Sequence, residues 1–219
     1  MKVQDLIRRF KKGKRIFHAV DLRGADLRGC NLNWVDLSRA NLTDADLRDA
    51  DLSSAYLYKA KLAGANLSGA NLNRSVLVMA DLRQANLSYV KADSYASRWY
   101  KVNLKNACLR HANLSKADLT AANLEGSDLE GAILDKVSLR KARMKEANLS
   151  GAKLINSNLR KVRLTGADLE KANLRGSKLY KAILHKARVM ETILPDGNMA
   201  SSKADLAPFL LATAGYGSD

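Results

Sequence analysis

Three histidines, two cysteines and a long series of aspartates are the reactive side chains in this sequence. His18, His111 and His185 have the chemistry of general bases or metal ligands. Cys30 and Cys108 have that of nucleophiles or thiolate ligands, and aspartates such as Asp21, Asp26, Asp46 and Asp51 that of paired acid–base carboxylates. Their spacing supports none of these roles. No histidine has a cysteine, serine or acid at a separation that makes a triad or a metal cluster, and two cysteines are too few for a disulfide framework. Glycines such as Gly24, Gly29, Gly64 and Gly69 match neither a P-loop nor a dinucleotide fingerprint. The expectation is a chain with no catalytic residue, no metal site and no cofactor, in which the aspartates serve another purpose.

That purpose lies in the element that carries them. Residues 25–52 read ADLRGCNLNWVDLSRANLTDADLRDADL, with a leucine at every fifth position. A helix repeats every 3.6 residues or so and a strand every second residue, so neither buries leucines at this interval on one face. The chain must turn once per repeat. Calling the leucine the centre, centres run from Phe17 and Leu22 to Leu87, with Ala92 a weak continuation, and resume from Leu104 to Leu194. Two residues before each centre stands a small residue, as at Ala25, Ala40, Cys30 or Ser75. Centre and small residue share one side of an extended stretch, and the Asp or Asn between them points out, where its side chain can bond the backbone of a turn. Each repeat is one short side ending in a corner, and the glycines are corner residues free to take positive φ. Stacked coils then bury ladders of leucine and alanine in a solid core with no lumen.

The motif A(D/N)Lxx in tandem, clearest in SRANLTDADLRDADL and GANLSGANL, resembles the pentapeptide-repeat family. The likeness covers residues 15–194 and, with a finish TILPDG from Thr192 to Gly197, is closest in flavour to bacterial, cyanobacterial-like members. It implies an all-β fold, a right-handed quadrilateral β-helix with four repeats to a coil. Residues 1–14 are expected as a basic N-terminal cap and 195–219 as a C-terminal tail. Val3, Leu6, Ile7 and Phe10 fall at helical spacing opposite Arg8, Arg9, Lys11 and Lys12, and Gly13 reads as the stop. Such a helix would cover the open end of the ladder.

The chain of 219 residues carries a net charge of +15 and 5% aromatics. It offers no long apolar run and no secretory pattern, so a reduced cytoplasmic compartment and a monomer or end-to-end dimer are expected.

One defect interrupts the period. Leu87 and Leu104 stand seventeen residues apart, two more than three repeats, so a bulge, loop or turn near residues 92–102 must restore register. Around it gather Trp34, Tyr56, Tyr58, Val76, Val78, Met79, Tyr95, Trp99 and Tyr100. Outward neighbours of Leu57 and Leu77 are apolar where Asp, Asn, Ser or Gly is usual. The break folding over this side would bury the aromatics as a satellite cluster. An exposed apolar patch would instead mark a partner or dimer interface.

Charge gives a second candidate. Residues 103–194 hold eighteen Lys and Arg against nine acids. Arg140, Lys141, Arg160, Lys161, Lys178 and Lys181 stand beside the stacked centres Leu139, Leu159 and Leu179, with Arg143 and Arg163 at the next corner. This is either solvated surface that keeps the rod soluble or a stripe for nucleic acid or anionic lipid heads. Some members of the family occupy DNA gyrase by imitating duplex DNA, which requires an acidic rod; a charge of +15 opposes that role. The sequence therefore predicts a non-catalytic module for protein–protein interaction with an unknown protein partner, with sequence-blind polyanion binding as the alternative.

Overall fold

The computed structural model describes residues 1–211. Parallel bridges join residues twenty apart from Ile16↔Asp36 onward, in four interleaved stacks: Ile16, Asp36 and Tyr56; Asp21, Asn41 and Lys61; Asp26, Asp46 and Asn66; Asn31, Asp51 and Asn71. The centres that follow these residues define four sides. The first side carries Phe17, Leu37, Leu57 and Leu77, the second begins at Leu22, the third at Leu27 and the fourth at Leu32. Each centre donates its N–H to the level above, as Leu42 does to the Lys61 carbonyl at 2.7 Å. The corner closes when the small residue three positions on donates back to the centre, as Ala45 does to Leu42 at 3.0 Å.

The aspartates and asparagines do what the pattern requires. Oδ1 of Asp36 accepts the Ser38 N–H at 2.9 Å, and Asp51 accepts that of Ser53 at 3.0 Å. The residue two after the centre takes positive φ, glycine at Gly24 (59°) but also Asp44 (56°) and Lys141 (60°). Such backbone is costly away from glycine. Here an inter-level hydrogen bond from the same residue holds it, as Lys141 N–H to Arg160 O at 3.0 Å. Among the described residues no continuous strand forms. A corner every fifth residue leaves one bridged residue per side, so the fold is β by its ladder and not by long strands.

Leucine and alanine fill the interior, nearly all with no exposure from Leu27 to Leu174. The break is absorbed there too. Val76 pairs with Arg98, not with a residue twenty on, and regular pairing resumes at Arg98↔Asp118. A turn over Asp93–Ala96 takes up the two extra residues, closed by Ser97 N–H to Ser94 O at 2.9 Å. Trp99 thereby becomes a first-side centre, fully buried between Leu77 and Leu119. Its indole Nε1 donates to Ser75 Oγ at 3.2 Å, and Ser97 Oγ accepts the Arg74 N–H at 3.0 Å. Two serines in alanine positions thus satisfy donors that the irregular corner would orphan. Ala92, small for a centre, immediately precedes the bulky indole around the coil, which moderates the change in core volume.

Both ends are covered. Helix α1 spans Val3–Lys11 and buries Leu6 and Phe10, while Gly13 (φ 91°) donates to Phe10 O at 2.9 Å. At the other end the chain folds back in an antiparallel bridge, Ile193↔Met199. A 3-10 turn (Lys203–Leu206) then buries Leu206, and helix α2 (Ala207–Leu211) follows. The C-terminal tail expected over 195–219 is described as far as Leu211; Ala212 and the remainder lie outside the described residues. No helix among the described residues is long and apolar enough to cross a membrane.

Candidate interaction face

Because the break adds two residues and no quarter-turn, the first side continues through it. Its bridged column reads Ile16, Asp36, Tyr56, Val76, Arg98, Asp118, Ser138, Asn158 and Lys178. The apolar group and the basic group, placed separately by the sequence, therefore share one side, one toward each end. Tyr56, Met79, Tyr95 and Tyr100 are exposed, and Tyr58, Val76 and Val78 are half-buried. Trp34, 58% exposed, sits at the corner leading into this side. Trp99 is the correction: it belongs to the core and to no surface patch, because the seven-residue step from Ala92 seats it as a centre. The break does not fold over the aromatics either, so no satellite cluster forms.

The basic residues divide as well. Lys141, Lys161, Lys178 and Lys181 are exposed and Arg140 is half-buried on the first side. Arg160 is also half-buried, with Nε buried and without a hydrogen-bond partner. Arg143 starts the second side and is neutralised by Glu125, at 2.6 Å from NH2 to Oε1. Arg163 shares its column one level on.

The contrast between sides is electrostatic. On the second and third sides most arginines are paired with acid. Arg23 meets Asp21, Arg28 and Arg48 meet Asp46, Arg110 meets Asp128 and Glu130, and Arg188 meets Asp168 and Glu170. Hydrogen bonds from Arg23 and Arg28 hold the carboxyls of Asp21 and Asp26 down to about 2. Among the described residues no acid pairs with Arg140, Lys141 or Lys161 on the first side. Instead, three lysines there lie over the ring of the preceding tyrosine: Lys59 over Tyr58 at 5.2 Å, Lys101 over Tyr100 at 5.1 Å and Lys181 over Tyr180 at 5.0 Å.

Sequence reasoning missed one class of contact. A residue after a centre reaches the residue before the next level's centre, eighteen positions on. His18 Nε2 stands 2.7 Å from Asp36 Oδ2 in this way, and Thr120 Oγ1 2.8 Å from Ser138 Oγ. A spacing of eighteen, read alongside twenty, would have found these pairs. His111 stacks on Tyr89 with ring centroids 5.3 Å apart. Burial pushes the Cys30 thiol up, away from the thiolate. No group of ligating side chains able to hold a metal occurs among the described residues.

The family described as pentapeptide repeats matches residues 16–53, 50–88, 100–135, 122–160 and 157–194, leaving out only the break within the coil. The chain belongs to the pentapeptide-repeat family. Among solved structures, this pentapeptide-repeat protein resembles HetL, described as involved in heterocyst differentiation regulation, from the cyanobacterium Nostoc sp. strain PCC 7120. Identity is 32%, over 91% of this chain and 100% of that one, with a TM-score of 0.57. Rfr23 from the cyanobacterium Cyanothece 51142 is 34% identical over 51% of this chain and 59% of its own, with a TM-score of 0.32. QnrB1, a plasmid-mediated fluoroquinolone resistance protein, is 18% identical over 79% and 90%, with a TM-score of 0.45. Among curated proteins compared by sequence, none matches. Membership of the family, with the likeness to HetL, implies a right-handed coil.

Proposed function

We propose that this pentapeptide-repeat protein is a non-catalytic cytoplasmic module that binds a protein partner through its first side. The observation that carries the reading is the pairing pattern. Second- and third-side arginines other than Arg163 are spent on neighbouring acids, whereas Arg140, Lys141 and Lys161 form no ion pair among the described residues and share the first side with exposed Tyr56, Met79 and Tyr100. Surfaces that pair exposed aromatic and apolar area with unneutralised charge suit protein recognition, since apolar burial supplies affinity and charge supplies orientation. A photo-crosslinker placed at Tyr56 or Lys141, compared with one at Ser68 on the third side, tests it in cell extract. Protein adducts from the first side alone support the reading; equal adducts from both sides, or none, overturn it.

A second reading is kept for one observation: Arg140, Lys141, Arg160 and Lys161 form rows about 4.8 Å apart along the axis, close enough for several phosphates to be met together. No helix or ribbon projects to read base edges, so such binding would be sequence-blind. Retention on duplex DNA and on anionic vesicles across a salt series, with Arg140, Lys141, Arg160 and Lys161 all changed to Glu, decides it. Undiminished retention by that variant removes this reading.

A further inference from the structure

We propose that the Tyr58–Lys59, Tyr100–Lys101 and Tyr180–Lys181 pairs are carboxylate-binding clamps that seat an acidic protein segment lengthwise on the first side. The inference rests on the first side being the interaction face and names its partner's chemistry. All three pairs occupy the two positions after a first-side centre, Leu57, Trp99 and Leu179. In each the lysine has left-handed backbone, φ 54°, 54° and 57°, so its side chain leaves the corner in the same direction and returns over the ring. The cation–π contact holds the ammonium there without an acid and lowers the freedom lost on binding.

A phenol O–H at the ring edge and an ammonium 5.0–5.2 Å from the ring centroid are two donors that each pair presents together. With each donor contributing a hydrogen bond of roughly 2.8 Å, one carboxylate can accept from both. An ion pair alone would need only the lysine; the tyrosine adds direction. At about 4.8 Å per level, the first and last pairs are roughly 29 Å apart, the length of about nine extended residues. Between the first two pairs lie Val76, Val78 and Met79, which suit apolar side chains of a protein segment and give nothing to a sugar–phosphate backbone. The lysines also cover the tyrosine ring faces on which nucleobases would stack.

Binding of a labelled fifteen-residue oligoglutamate, followed by fluorescence anisotropy near physiological salt, tests the proposal. The triple variant Tyr58→Phe, Tyr100→Phe, Tyr180→Phe keeps the rings and the cation–π contacts and removes only the hydroxyls. It should bind at least about fivefold more weakly with an unchanged melting temperature. Lys59, Lys101 and Lys181→Gln should weaken binding further, and a second-side control, Lys61, Lys105 and Lys145→Gln, should change it less than about threefold. If the phenylalanine variant binds like the parent while the lysine variant does not, the clamps are wrong and the first-side reading stands. If the control loses as much as the lysine variant, both fall. Tighter binding of a duplex DNA oligonucleotide of equal charge would overturn the acidic-protein occupant.

Discussion

Val76 pairs with Arg98 across a level that contains two extra residues. This single relationship keeps Tyr56 and Arg140 on the same side of the rod. Had the insertion shifted the chain by one corner, the apolar and basic groups would face different directions and no partner could touch both. The extra residues are confined to the Asp93–Ala96 turn at the corner before the first side, so every side beyond it keeps its orientation.

The break should be removable. Deleting Tyr95 and Ala96 while changing Trp99→Leu and Ala92→Leu rebuilds a regular coil, and this variant should melt within a few degrees of the parent. Trp99→Ala alone leaves an indole-sized cavity and should cost about 3–5 kcal/mol. Ser75→Ala leaves the indole N–H buried without its acceptor and should cost roughly 1–3 kcal/mol. Urea titration of the three variants measures all three effects.

The five-residue period was legible because one physical demand, a buried large side chain at each corner-to-corner step, recurs with little variation. Trp99 was harder to place because counting forward from Ala92 fails there. Counting back from Leu104 succeeds: Ser97, Arg98 and Trp99 fill the small, outward and central positions of an ordinary repeat. That frame also puts the basic and apolar groups on one side. The cross-level pairs of spacing eighteen, such as His18 with Asp36, depend on side-chain reach between levels, which the repeat alone does not encode.

Tryptophan fluorescence should be heterogeneous. Trp99 is fully buried and Trp34 58% exposed, so acrylamide should quench a red component and spare a blue one. Trp34→Phe should leave only blue, protected emission. A single red, quenchable component in that variant would place Trp99 outside the core.

Acid should spare the first coils until low pH. Hydrogen bonds and charge from Arg23 and Arg28 hold Asp21 and Asp26 at about 2, below the ordinary 3.8. A folded-state pKa below the unfolded one stabilises the fold above the unfolded pKa, and the benefit is lost as pH falls toward about 2. Both carboxylates are exposed, so the effect on overall stability is small. Carboxyl chemical shifts should show them still ionised at pH 3; midpoints near 3.8 would mean the arginine contacts are not held in solution.

Core and surface should respond very differently to the same substitution. Leu124→Asp puts a charge into a dry ladder and should cost about 4 kcal/mol or more, whereas Lys105→Asp at an exposed position should cost well under about 1 kcal/mol. Thermal melting of the two distinguishes them directly.

The central claim, that one side runs unbroken through the insertion, can be tested with engineered cysteines in a Cys30→Ser, Cys108→Ser background. Val78 and Tyr100 follow consecutive first-side centres, Leu77 and Trp99, so their Cα atoms lie one level apart, about 4.8 Å and within reach of a disulfide. The pair Val78→Cys, Tyr100→Cys should oxidise readily and lock without loss of melting temperature. Faster oxidation of Val76→Cys with Ala96→Cys, the partner that an uninterrupted count of twenty would select, than of Val76→Cys with Arg98→Cys, its bridged partner, would contradict the account.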